Sequence, residues 1–314
     1  MKLLSLQVDQ AFHPGVLLDD HVLDLVVARK VIPLASSIPT SMRALLGAGS
    51  GGLKVIERII DLASGNGMRA QLLATGAWRA FAEVTLGPVV PDPDLLVAAS
   101  WNSRGHVAEM HDEPPEWPCA FLKVRSALAA SGARIIPPPG HVDMIDWEGE
   151  FCVVIGKKCH RVDAEQALDY VAGYTLLNDI SARDYALPFI KSNDHSLAAQ
   201  AWERNVLGKN FPTFGPIGPV ITTKDHFPAP VSYHMETLVN GQVMQTSTQD
   251  DLVFGPEKMI AYFSQYYVFQ PGDIISMGSP PGVGMARRPQ VFLKRGDTVE
   301  VRLHGIGSLV NRVG

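Results

Sequence analysis

The chain is short of cysteine, short of charge and free of long apolar runs, and each shortage removes a class of function. Only three of its 314 residues are cysteine, Cys119, Cys152 and Cys159, and no two of them form a CxxC pair. An odd number of thiols, one of them inside an apolar stretch, is unlike a disulfide framework and leads us to expect free thiols in a reducing cytosol. Charged residues make up 19%, the net charge is −5, and there is no run of Lys or Arg, so a nucleic-acid surface is excluded. No apolar segment approaches the ~20 residues that span a bilayer, which excludes a membrane-embedded role. The N-terminus meets Asp9 too early for a signal peptide. Internal repeats and low-complexity tracts are missing as well. What remains is a globular, cytoplasmic protein with 46% hydrophobic residues, long enough for one large domain and a small one.

The most informative stretch is Asp146-Trp147-Glu148-Gly149-Glu150, followed by the β-branched run Phe151-Cys152-Val153-Val154-Ile155. Such a run predicts a buried strand. Side chains two apart on a strand share a face, so Glu148 and Glu150 project together. Side by side at the mouth of a buried strand, two carboxylates repel unless a cation sits between them. Asp179 ends a second apolar stretch, Tyr174–Asn178, and would bring a third carboxylate. An all-oxygen set of this kind suits a hard divalent ion, Mg²⁺ or Mn²⁺. The plainer alternative is that the two glutamates are solvated ends of an edge strand.

Along the chain, residues 1–90 predict a small accessory unit. It would hold a hairpin turned at Asp19–His21, a helix over Met42–Leu46 capped by Ser41, and a helix over Leu53–Leu62. The proline-rich Pro88–Pro93 marks the boundary. After a short strand at Leu95–Ala99, the polar segment 100–113 opens a helix that puts His106 and Glu109 three apart on one face. A carboxylate beside a histidine fixes its tautomer and raises its basicity, the arrangement of a general base, although such pairs are also common on surfaces. Asp163 with Gln166 predicts a capping box for a helix over Ala164–Val171, stopped by Gly173. The β-rich remainder includes a polar segment Lys191–Glu203, a hairpin at Asn240-Gly241 and a helix over Pro256–Phe269. It closes with a hairpin over Val291–Val301. The loop Gly278–Gly284 lets a ligand approach its backbone, but lacks the Lys-Ser/Thr ending of a P-loop, so nucleotide binding is not expected.

These residues resemble the fumarylacetoacetate hydrolase family over nearly the whole chain. The family's Asn-Tyr-x-x-His-x-x-Glu motif is matched by Asn102 through Glu109, its Glu-x-Glu by Glu148-Gly149-Glu150, and its Asp-x-x-Ala-Arg-Asp by Asp179–Asp184. Its Gly-Lys-Ser/Asn-Phe lysine falls on Lys209, and its Thr-Gly-Thr-Pro-x-Gly-Val-Gly loop on Met277–Gly284. Ser103 stands where the family usually has Tyr, Ser279 where it has Thr, and Ala186 where several acylpyruvate-cleaving members have Gln.

The resemblance implies a β-rich α+β fold, with a small N-terminal domain over 1–93 and a catalytic domain over 94–314 whose mixed sheets curl into a β-roll. It also implies a homodimer and a Mg²⁺ or Mn²⁺ site at Glu148, Glu150 and Asp179. The expected chemistry is hydrolysis of a carbon–carbon bond in a β-diketo acid of the acylpyruvate type. His106, oriented by Glu109, would activate water, while Lys209, Gly278 and Ser279 hold the 2-oxo acid end. Asn102, Lys123 and Arg183 complete the expected substrate contacts, Lys123 or Arg183 steadying an oxyanion unless Arg183 only braces the metal carboxylates. A dicarboxylate substrate would need a second cation, for which Arg104, Lys191 and Arg204 are candidates. The same metal–enolate site could instead serve an oxaloacetate decarboxylase or a dienoate isomerase, and a silent scaffold dimer is the non-enzymatic alternative.

Overall fold

The fold, described for residues 1–227 and 233–314 by a computed structural model, is α+β and dominated by two open mixed sheets. The larger has eleven strands. Its hydrogen-bonded path runs Trp78–Ala80, His21–Asp24, Ala11–Leu18, Lys2–Val8, Gly215–Thr223, Val171–Asn178, Gly149–Ile155, Ile274–Ser276, Leu96–Ser100 and Cys119–Leu122. Leu128–Ala129 adds to it from the side. Pairing is antiparallel except at Ile274–Ser276 with Leu96–Ser100 and at the Leu128–Ala129 addition. A second sheet carries Gln242–Thr248, His234–Val239, Thr298–Leu303, Gly307–Val313 and Arg134–Ile135. Among the described residues no helix is long and apolar enough to cross a membrane.

Strand Gly149–Ile155 lies at the centre of this arrangement, which explains why its sequence is apolar without alternation. Phe151, Val153 and Ile155 face a core shared with the second sheet, where Phe151 stacks on Tyr174 and Tyr233 at 5.2 and 4.6 Å between ring centroids. Cys152 and Val154 face the opposite core, formed with the N-terminal strands and helices. The N-terminal segment therefore continues the central sheet: Lys2 pairs with Thr222 and Leu3 with Ile221. Its helices are Met42–Gly47, capped where Ser41 Oγ accepts from Ala44 N at 3.3 Å, and Gly49–Ala63, which starts inside the glycine-rich run.

Several local expectations change. Asp163 has the extended backbone of a helix cap but its side chain makes no capping bond, and the helix is a single turn, Ala164–Ala167, tightening into Leu168–Tyr170. Gly173 lies within strand Val171–Asn178, not at a helix end. It is glycine because a Cβ there would sit 2.4 Å from the Thr222 carbonyl oxygen on the neighbouring strand. The segment Lys191–Glu203 is helical, with His195–Ala199 and Ala201–Leu207. The aromatic helix stops at Ser264. The closing hairpin joins Thr298–Leu303 to Gly307–Val313, so Arg295-Gly296-Asp297 turns the chain into that hairpin and is not its bend.

We expect Gly173→Ala to cost ~1–3 kcal/mol in urea unfolding, since the added methyl must prise two central strands apart. At Gly51, where a Cβ meets nothing within 4 Å, the same change should gain up to ~1 kcal/mol of helix preference. Equal effects at the two positions would contradict the packing described.

Candidate metal centre

Antiparallel register brings the acidic residues together. Gly149 pairs with Asn178, so Glu148 and Asp179, each one residue further out, face one another. Asp179 N donates to Glu148 O at 2.8 Å, Asn178 Oδ1 accepts from Glu148 N at 3.0 Å, and Gln245 Oε1 accepts from Gly149 N at 3.0 Å. Ligand oxygens from Glu148, Glu150 and Asp179 all lie within 4.8 Å of one another. All three side chains are buried. A fourth buried carboxylate, Asp146, accepts from Gly284 N at 2.6 Å and Met285 N at 3.1 Å, tying the glycine loop to the same region.

Three cationic side chains answer these four carboxylates. Arg183 donates from Nε to Asp146 Oδ2 at 2.9 Å and from Nη2 to Glu148 Oε1. Lys209 Nζ donates to Glu148 Oε2, to Asp179 Oδ2 at 2.6 Å and to Ser181 Oγ at 2.8 Å. Lys123 Nζ lies 2.7 Å from Asp179 Oδ1 but donates to the carbonyls of Lys209 and Phe214, so that carboxylate oxygen has no aligned donor. Burial pushes the Lys123 ammonium toward losing its proton, against the attraction of Asp179. The Glu148 carboxyl is raised by burial, yet Lys209, Arg183 and His106 outweigh that and hold it below the usual range. Glu150 is the opposite case. Burial first, then repulsion from Asp179 and Glu148, drives it well above the usual carboxylate range, with a bond from Ser276 Oγ in partial opposition. An excess of buried negative charge, an oxygen-only donor set and an unaligned Asp179 oxygen fit a hard divalent cation at Glu148, Glu150 and Asp179.

The helix Arg104–Glu109 faces this cluster. His106 Nδ1 pairs with Glu109 Oε1 at 2.6 Å, and Glu109 Oε2 accepts from Gly282 N at 2.8 Å. A proton on Nδ1 shared with the carboxylate leaves Nε2 as the basic nitrogen. His106, the three carboxylates, Arg183, Lys209 and Ser279 line one cavity of about 560 Å³. Ile190, Ala198, Ala199 and Trp202 from the helical segment after Arg183 also line it, with Met110 and Met285, and so do the polar Asp112 and Asn205.

Other expected contacts fall elsewhere. Among the described residues lining the cavity, Asn102, Lys123 and Gly278 are absent. Asn102 is spent on backbone bonds to Phe254 and Met277, and Lys123 lies beneath the carboxylates. Arg183 braces Asp146 and Glu148, as one of its two expected roles required, although it also reaches the cavity. Arg104, Lys191 and Arg204 are not among the lining residues either. Arg204 stacks over Phe189 and Tyr185, 4.4 and 5.1 Å from their ring centroids. Asp146, Ser181 and Ser276, which bond Arg183, Lys209 and Glu150, belong to no spacing pattern in the sequence that would mark them as partners of the site.

The family model for the fumarylacetoacetate (FAA) hydrolase C-terminal domain matches residues 96–314. Human oxaloacetate tautomerase FAHD2B, mitochondrial, is 35% identical over 277 residues, 88% of this chain and 81% of its own. A maleylpyruvate hydrolase from Sphingobium sp. SYK-6, solved in complex with manganese(II) ion and pyruvate, superimposes with a TM-score of 0.69 at 26% identity, covering 100% of this chain and 98% of its own. A 5-carboxymethyl-2-hydroxymuconate delta-isomerase from Mycobacterium smegmatis gives a TM-score of 0.69 at 26% identity, covering 100% and 99%.

Glu150 sets the expected pH dependence. Its raised folded-state pKa stabilises the metal-free protein below the unfolded carboxylate value, and that contribution fades as pH rises through the folded value. A divalent ion needs the carboxylate deprotonated, so the melting-temperature gain from added Mn²⁺ or Mg²⁺ should grow as pH rises through the same window. Glu150→Ala should remove most of that gain. A metal-induced shift that is flat with pH in the wild type would contradict the assignment.

Proposed function

The chain belongs to the fumarylacetoacetate hydrolase family, and from that premise we propose a divalent-metal-dependent enzyme that forms the enolate of a small 2-oxo acid. Its primary reaction in this reading is keto–enol tautomerisation of an oxaloacetate-type substrate, the activity for which the 35% identical human relative is named. The observation that carries it is the His106–Glu109 pair, 2.6 Å apart, opening onto the cavity that holds Glu148, Glu150 and Asp179.

His106 Nε2 removes the proton from the carbon beside the 2-oxo group, and Glu109 stabilises the imidazolium so formed. The imidazolium then returns that proton to the oxygen, giving the enol, and the reverse sequence restores the ketone. Lys209 and Arg183 offset part of the buried carboxylate charge, which lessens the repulsion that a substrate carboxylate would meet there. Mg²⁺ or Mn²⁺ bound at Glu148, Glu150 and Asp179 would supply Lewis-acid stabilisation of the negative charge developing on the 2-oxo oxygen.

One observation favours hydrolysis of an acylpyruvate as a second reading. Ile190, Ala198, Ala199 and Trp202 line the cavity, and in this reading they would receive an apolar acyl tail. There His106 takes its proton from water, which attacks the distal carbonyl, and the carbon–carbon bond breaks to leave the pyruvate enolate and a carboxylic acid. In either case we take the working form to be a homodimer in a reducing compartment, cytosolic or mitochondrial, consistent with the free thiols of Cys152 and Cys159.

The test is a substrate panel of oxaloacetate and acylpyruvates of increasing chain length, with EDTA and after restoring Mg²⁺ or Mn²⁺. Following the enol absorbance, oxaloacetate should interconvert in a metal-dependent way, and His106→Ala should slow it ~10²–10⁴-fold. Pyruvate and a free acid released from acylpyruvates, with oxaloacetate untouched, would instead establish the hydrolase. Full activity in His106→Ala would defeat both.

A further inference from the structure

The helix carrying the His106–Glu109 pair has only six residues, Arg104–Glu109, too short to hold its own position. The backbone entering it is strained: Trp101 has φ of +60° and lines the cavity, a conformation that a bulky residue keeps only when its surroundings impose it. What imposes it comes from the segment Asp251–Phe254, some 150 residues away in sequence. Asn102 Oδ1 accepts from Phe254 N at 2.9 Å, its Nδ2 donates to Phe254 O at 3.1 Å and Met277 O at 2.9 Å, and Asn102 O accepts from Val253 N at 2.9 Å. Asp251 then grips the helix start with both carboxylate oxygens. Oδ1 accepts from Gly105 N at 2.8 Å and Oδ2 accepts from Ser103 Oγ, while the same Ser103 Oγ accepts from His106 N at 3.0 Å. The fit is close, since a Cβ on Gly105 would stand 2.8 Å from Pro281 Cγ and 3.2 Å from Asp251 Oδ1.

We propose that Asp251 is a positioning residue for the general base, acting through Ser103 and Gly105 to hold the short helix so that His106 Nε2 faces the carboxylate cluster. Asp251 touches neither the cavity nor the carboxylates. Its effect passes through the backbone of residues 103–106, which Glu109 anchors at the other end on Gly282 N at 2.8 Å. Four charge-assisted or backbone bonds at the two ends of a single helix turn leave His106 one orientation, and a displacement of about 1 Å there is enough to cost ~10²-fold in rate.

The proposal rests on the enolate-forming reading for its kinetic part, so the experiment has a second arm that needs no turnover. Asp251→Ala, Asp251→Asn, Ser103→Ala and the double variant Ser103→Ala/Asp251→Ala are compared with the wild type by steady-state kinetics, metal-induced melting shift and amide exchange over residues 103–109. In Asp251→Ala, kcat should fall ~10–100-fold with KM within ~3-fold, exchange over 103–109 should accelerate, and the metal-induced shift should persist. Asp251→Asn keeps an acceptor for Gly105 N and should recover part of kcat. The double variant should be little worse than Asp251→Ala, because both single changes break one linkage. Unchanged exchange over 103–109 in Asp251→Ala overturns the proposal, whether or not the wild type turns over. So does loss of the metal-induced shift in step with kcat, which would mark Asp251 as a general stability residue. A wild type inactive on every panel substrate, with exchange still accelerated in Asp251→Ala, would sink the enolate reading and leave the positioning role standing.

Discussion

Buried negative charge in excess of its partners is the constraint on which the rest of the molecule depends. Asp146, Glu148, Glu150 and Asp179 sit within the protein against Arg183, Lys209 and Lys123. Burial weakens the hold of Lys123 on its proton and drives Glu150 well above the usual carboxylate range. Ionised carboxylates this close in a low-dielectric interior are tolerable only if compensated. Much of the fold supplies that compensation: the antiparallel register that opposes Glu148 to Asp179, Lys209 just before strand Gly215–Thr223, and the glycine loop whose amides meet Asp146. A divalent cation would complete it, and that incompleteness is what the site can use chemically.

Around this centre the cavity lining joins groups of two kinds. One kind is ionisable, the carboxylates, Arg183, Lys209 and His106, and the other is largely apolar, supplied by the short helices Arg183–Ile190, His195–Ala199 and Ala201–Leu207. The division of labour follows from where each part is anchored. Glu148, Glu150 and Asp179 lie on or beside strands Gly149–Ile155 and Val171–Asn178 of the central sheet, while Arg183 opens a helix, Lys209 follows one and His106 lies within one. Groups that would meet the variable part of a substrate come from Ile190–Trp202, a segment packed less deeply, with Ile190 and Trp202 half exposed. Relatives and structural neighbours of the chain are named as a tautomerase, an isomerase and a hydrolase.

Short-range chemistry was the legible part of this chain. Glu148 and Glu150 could be placed on one face because a strand has period two, and His106 could be set beside Glu109 because a helix brings residues three apart together. The apolar run after Glu150 announced a strand buried on both faces. The Asn102–Glu109, Glu148–Glu150, Asp179–Asp184 and Lys209 patterns, in that order, pointed to the family that the comparison with known proteins bears out over residues 96–314. Less legible were features set by neighbours distant in sequence. Gly173 looked like a helix stop and is a strand residue forced small by the Thr222 carbonyl. Asp163 looked like a cap and makes no capping bond, because the helix it would cap is one turn long and held by packing against Pro256–Ser264.

Sequence alone determined the ligand chemistry: which side chains carry oxygen donors, which strand holds them, and which histidine has a carboxylate at helical spacing. These follow from periodicity, a property of the local backbone. Only the tertiary structure decided which polar residues face the cavity and which lie behind it. Asn102 and Lys123 were expected to meet substrate, yet one is taken up by backbone groups of Phe254 and Met277 and the other is buried against Asp179. Arg204 is drawn onto Phe189 and Tyr185. The reason is physical: a buried donor is claimed by whatever acceptor the fold leaves unpaired nearby, and those acceptors come from strands and loops that sequence spacing does not relate.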